Sequence, residues 1–159
     1  MMISVSPSYK SKSQFEFDVF LHAYKTFFPK NNLPEPEFLQ WLIGFAEGEG
    51  SFSVAKRGDL AFVITQSTSD VNILNYIKNS LGFGKVIVQS TKGKTHRYIV
   101  QDMNGLSLIS HLFNGNMVFP TRTARFHTFL SALNEKLLRN NIPLIYPMYM
   151  TVLPTLNDA

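Results

Sequence analysis

The stretch Phe38 to Phe52, FLQWLIGFAEGEGSF, constrains this chain more than any other. It begins as an apolar run of helical length and then passes through Gly44, Gly48 and Gly50, interleaved with Glu47 and Glu49. On a helical wheel Phe38, Trp41, Leu42 and Phe45 share one arc, and Gln40, Gly44, Glu47 and Gly48 fall beside it. Gly44 and Gly48 lie one above the other and leave a strip without side chains. Glycine inside a helix costs about 1 kcal/mol relative to alanine. Two on one face predict a second backbone packed closely there. Glu49 falls where the helix ends, and the alternating residues after it predict a strand.

Elements on either side follow from turn chemistry and periodicity. Residues 1–13 read as a flexible arm, and residues 14–28 as a short helix packed on the outside of the domain. Pro29 to Pro36 is a turn-rich connector that also supplies proline and acid for the first turn of the central helix. Ser51–Arg57 and Leu60–Thr68 read as strands joined by a tight turn at Gly58-Asp59, with Phe52 and Val54 inward. Asp70 caps a helix to about Leu81, which Gly82-Phe83-Gly84 ends. Lys85–Ser90 and Thr95–Gln101 form a second hairpin around Thr91–Lys94. Asp102 or Asn104 caps a helix over about 105–113, Asn114-Gly115-Asn116 breaks it, and Thr121–Asn140 forms a long final helix.

The order αββαββαα predicts an α+β domain: one four-stranded antiparallel sheet with helices on one face. The chain divides into an arm and short helix at 1–35, this domain at 36–140, and an extended connector at 141–159.

Composition narrows the chemistry. The absence of cysteine excludes disulfides and thiolate metal sites. No apolar run is long enough to span a membrane as a helix, so no membrane partner is expected. His22, His96, His111 and His127 lack metal-ligand spacing, and His111 and His127 read as helix-surface or satisfied core residues. Neither Gly48-x-Gly50 nor Gly82-x-Gly84 continues as a phosphate loop, and no nucleophile triad is present. The net charge of +4 is unevenly spread: residues 51–101 carry seven Lys/Arg against two Asp/Glu, whereas residues 1–50 carry four against six. A basic sheet is an electrostatic footprint for nucleic acid, although plain solvated lysines give the same count.

Two groups of residues could carry function. Glu49, at the end of a glycine-bearing helix, can bind a hard cation such as Mg²⁺ through oxygen. A lone acid there is ordinarily just solvated; the glycines imply a partner able to bring a second one. The outward sheet face carries Ser51, Ser53, Arg57, Lys85, Gln89, Arg97 and Gln101, the side-chain types that bond phosphates and base edges. Ala61, Val63, Ile87 and Ile99 share that face.

Leu42 to Gly50, LIGFAEGEG, resembles the signature of the LAGLIDADG homing endonucleases, and the element order resembles their half-domain across roughly 36–140. The resemblance implies a saddle-shaped sheet seated in the DNA major groove. It implies motif helices of two halves packed through Gly44 and Gly48, with Gln40 and Trp41 at the same interface. The acid in the eighth position, here Glu49 where the family usually has Asp, binds the catalytic metal, with Gly48 beside it. Gln66 matches a position that orders water near the metals, and Arg122 or Arg125 is the basic residue near the scissile phosphate.

The implied activity is site-specific hydrolysis of double-stranded DNA with Mg²⁺ or Mn²⁺, Ca²⁺ being a non-catalytic substitute. One motif is half a site, so the chain needs either a second copy of itself or a second LAGLIDADG half. The segment Leu153 to Ala159 resembles the linker between halves and favours the latter. Similar proteins are typically encoded in fungal mitochondrial introns, which implies a mitochondrial location. The same fold also implies two alternatives, an intron RNA-binding maturase and a non-catalytic structural subunit of a ribonucleoprotein.

Overall fold

The computed structural model describes residues 15–148. The arm expected at 1–13 and the connector beyond Met148 lie outside the described residues. Five α-helices and four strands are present among the described residues. They are α1 (Asp18–Phe27), α2 (Pro36–Glu49), β1 (Gly50–Val54), β2 (Leu60–Ser67), α3 (Val71–Leu81), β3 (Lys85–Ser90), β4 (Thr95–Val100), α4 (Met103–Phe113) and α5 (Pro120–Arg139). The strands form one sheet in the order β1-β2-β4-β3, and every neighbouring pair is antiparallel. This is the α+β architecture expected from the sequence.

Strand alternation separates the two faces. Phe52, Phe62, Ile64, Tyr98 and Val100 point into the core. The Phe52 ring meets Phe62, Phe113, Phe126 and Phe129 at centroid distances of 5.0–5.6 Å, which fastens β1 to α4 and α5. Register places Ser51, Val63, Ile99 and Lys85 in one row across the opposite face, and Thr65, Arg97 and Ile87 in the next. Val63 and Ile99 are buried yet stand apart from the core cluster.

Helix ends follow capping physics. Pro36 and Pro120 occupy first-turn positions, where the missing N–H costs nothing. Asp102 caps α4 by accepting from Gly105 N at 2.9 Å, which decides between Asp102 and Asn104. The α3 terminus is held by two tyrosines: Tyr24 donates to Leu81 O at 2.7 Å and Tyr98 to Phe83 O at 2.8 Å. Gly84 has φ +86, and a Cβ there would come within 2.5 Å of the Tyr98 hydroxyl.

Several local expectations need correction. Helix α1 joins the core through fully buried Phe20 and Tyr24, so it is not an outer addition. Strand β1 ends at Val54, because Ala55 to Asp59 form a longer turn in which Ala55 N donates to Asp59 O and Gly58 takes φ +96. Val54, at the sheet corner, is 43% exposed although alternation points it inward. Asp70 makes no side-chain cap: a 3₁₀ turn at Thr68–Asp70 precedes α3, and Ser67 Oγ accepts from Ser69 N instead. Residues 141–148 are tied down by two asparagines. Asn134 exchanges two bonds with Ile145, and Asn114 bonds Tyr146 O and Met148 N.

Candidate functional site

Glu49 is the last residue of α2, and Gly50, in extended conformation, turns the chain directly into β1. The carboxylate is thereby left exposed. Strand β1 begins opposite Ile64, so β2 runs on past it through Thr65–Ser67. Gln66 lies on this overhang and donates from Nε2 to Glu49 Oε1 at 3.0 Å and to Thr65 O at 3.0 Å. The fold thus joins Glu49 and Gln66, 17 positions apart in the chain, in one hydrogen bond.

Glu47, two residues earlier, has the opposite surroundings. It is 4% exposed and accepts from Val118 N and Phe119 N, both at 2.9 Å. It therefore does not share the glycine face, as the wheel suggested. Its partners are unpaired amides at the start of α5, a helix whose own N-cap residue, Phe119, offers no capping side chain.

Arg122 reaches back from α5 to Gly50 O (2.7 Å) and Gly48 O (3.3 Å), the carbonyls on either side of Glu49. Arg125, one turn further along, is exposed and has no hydrogen bond or ion pair among the described residues. The two arginines are thus distinguished: Arg122 is committed to backbone beside Glu49, and Arg125 is unengaged.

Gly44 and Gly48 are exposed, and a Cβ on either would meet nothing within 4 Å. The close backbone neighbour expected from the two glycines is therefore not supplied by the described part of this chain. Beside the strip, Trp41 is 40% exposed and stacks on Phe45 at 5.0 Å, with Tyr76 edge-on at 5.6 Å. Gln40 is half-buried on the same helix.

The open sheet face holds Ser51, Ser53, Lys85 and Arg97 in register, with Gln89 beside Thr95 at a bulge in β3–β4. Arg97 Nε is buried without a hydrogen-bond partner. One expected member leaves the face, and another lies just past its strand. Arg57 lies in the β1–β2 turn, bonded to Asp59 at 2.7 Å, because β1 has already ended. Gln101 lies one residue past the end of β4 but stays beside the face, lining a cavity with Lys85 and Ile99 as well as one with Leu60 and Lys136.

Among the described residues no three His, Asp or Glu side chains cluster as a metal site. His96 Nδ1 bonds Thr68 Oγ1 at 2.9 Å, His22 is exposed, and His127 packs by Phe126 at 5.7 Å. His111 is half-buried on α4, and that burial lowers its pKa from the ordinary value. Burial, then the Asp102 charge, raises the Tyr98 phenol.

The LAGLIDADG endonuclease family model matches residues 42–133, more than half of the chain. A relative from Neurospora crassa, named probable intron-encoded endonuclease 4, is 47% identical over 127 residues, 80% of this chain but 23% of that protein. The intron-encoded RNA maturase bI4 of Saccharomyces cerevisiae is 31% identical over 97 residues, 61% of this chain and 15% of that protein. Among solved structures, the LAGLIDADG meganuclease I-AabMI bound to uncleaved DNA is 31% identical, with a TM-score of 0.53 over 65% of this chain and 37% of that one. The chain spans about a quarter or less of the length of these two curated relatives. It belongs to the LAGLIDADG endonuclease family.

Proposed function

We propose that this chain is one half of a site-specific DNA endonuclease and that Glu49 is its contribution to the reacting centre. The observation that carries the reading is the pairing on one helix of an exposed terminal carboxylate, bonded to Gln66, with an open glycine strip. A second half of the same fold, packed on Gly44 and Gly48 with Gln40 and Trp41 at its margin, would bring a second acid near the first. The open sheet face, with Ser51, Ser53, Lys85, Gln89 and Arg97, then meets the major groove. Arg57 and Gln101 flank the edge of that footprint.

The residues present suit a hard divalent ion. Glu49 and the Gly48 carbonyl are oxygen donors, the latter also accepting from Arg122, and the chain has no thiolate to compete. Mg²⁺ or Mn²⁺, held by Glu49 and Gly48, would polarise the phosphodiester and activate water; Ca²⁺ would be held without supporting cleavage. Gln66 holds the Glu49 carboxylate in one orientation and can orient a water beside it. Arg125 is available to neutralise charge on the scissile phosphate, while Arg122 fixes the backbone around Glu49. A fungal mitochondrial setting is supported by the intron-encoded fungal relatives.

Cleavage of plasmid DNA carrying an intron-insertion site, with Mg²⁺, tests the reading. The chain is assayed alone and paired with a candidate second half. Cutting that depends on pairing supports it; no nicking under any pairing, together with tight intron-RNA binding, overturns it. That outcome would favour the maturase reading, which one relative's name supports.

A further inference from the structure

Helices α2 and α5 exchange caps. Glu47 of α2 gives its carboxylate to the N–H groups of Val118 and Phe119, at the positive end of α5. Arg122 of α5 gives its guanidinium to Gly48 O and Gly50 O, at the negative end of α2. Neither helix meets these needs from its own sequence. Phe119 offers no capping side chain, and α2 has no basic residue in its last turn. The sole ion pair within 4.0 Å among the described residues is Arg57–Asp59, so Glu47 and Arg122 communicate through backbone, not by direct contact.

From this exchange we infer that Glu47 is a positioning residue for Glu49, acting through the first turn of α5 and Arg122. The inference rests on the nuclease reading of Glu49 proposed above. Glu49 is flanked by Gly48 and Gly50, the residue type with the widest backbone freedom. Gly50 is tied to Ala46 O and pairs with Ile64; Arg122 adds a hold on the carbonyl on each side of Glu49, and the planar guanidinium can span two acceptors where a lysine ammonium acts as a point charge. Phe126 and Phe129 hold the body of α5 on Phe52, and Glu47 fixes the segment that leads into its first turn, from which Arg122 reaches back. Burial makes the anchor strong, because a carboxylate shielded from water loses little of its attraction to amide dipoles.

Amide hydrogen exchange and NMR on the full chain, without DNA or metal, test the coupling. Gly50 N–H donates to Ala46 O and reports on the end of α2. In Glu47→Gln, the amides of Val118 and Phe119 should exchange about tenfold faster, as for loss of a charge-assisted bond. Gly50 should lose protection with them, and the Glu49 backbone signals should shift. Arg122→Gln should give the same pattern in reverse, and Arg122→Lys should retain part of the protection. The inference fails if Glu47→Gln affects only Val118 and Phe119 while Gly50 and Glu49 stay unchanged. Should that variant not fold, the Arg122→Gln measurement decides, with unchanged protection at 118 and 119 as the contrary result. Because no cleavage is read, failure here leaves the nuclease reading standing, and failure of cleavage leaves the exchanged caps standing.

Discussion

Glu47 and Glu49 are the same residue two positions apart, and the fold gives them unlike surroundings. Glu47 satisfies two buried amides, so Glu47→Ala strands both and should cost about 2–3 kcal/mol in urea denaturation. Glu49 is exposed, so Glu49→Ala should change stability by no more than about 0.5 kcal/mol. His111 contributes to the pH response. Its depressed pKa means that the unfolded chain takes up a proton at a higher pH than the folded one. Stability is therefore fully present above about 6.5, the unperturbed value, and is lost as pH falls toward the folded value. Melting temperature should drop between pH 8 and pH 5.5, and His111→Gln should flatten that drop. The place of Glu49 at the helix end was legible in the sequence because it depends only on local spacing. The partners of Glu47 were not, because they lie 71 and 72 positions away and no periodicity reports them.

At the scale of the elements, the glycines separate into two kinds. Gly84 has φ +86 and the Tyr98 ring against it, so Gly84→Ala should cost about 1–3 kcal/mol from backbone strain alone. Gly44 sits in a regular helix with open space above it. Gly44→Ala should therefore raise the stability of the isolated chain by up to about 1 kcal/mol. Gly44→Leu should leave the isolated chain folded and abolish pairing with a second half, measured by light scattering. The order of helices and strands could be read from alternation and helical spacing, which are local. The exits of the strands could not: β1 stops at Val54 because Ala55–Asp59 close a longer turn, and this removes Arg57 from the sheet face. Arg57→Ala should accordingly weaken DNA binding less than Arg97→Ala, read by titration at fixed salt.

For the whole molecule, the sheet leaves one face open while α2 leaves a glycine strip open beside an exposed acid. In the proposed reading these surfaces divide the work. The first can bind nucleic acid through an excess of cationic side chains, and the second can bring two acids together. Binding through the sheet predicts affinity that falls with salt. In the proposed function Glu49 is one of two acids in a composite cleaving site. The most direct test is the Mg²⁺-dependent cleavage rate of target DNA by the paired protein, wild type against Glu49→Gln. Loss of cleavage with DNA affinity nearly unchanged is expected. Cleavage by Glu49→Gln at the wild-type rate would contradict this role for Glu49.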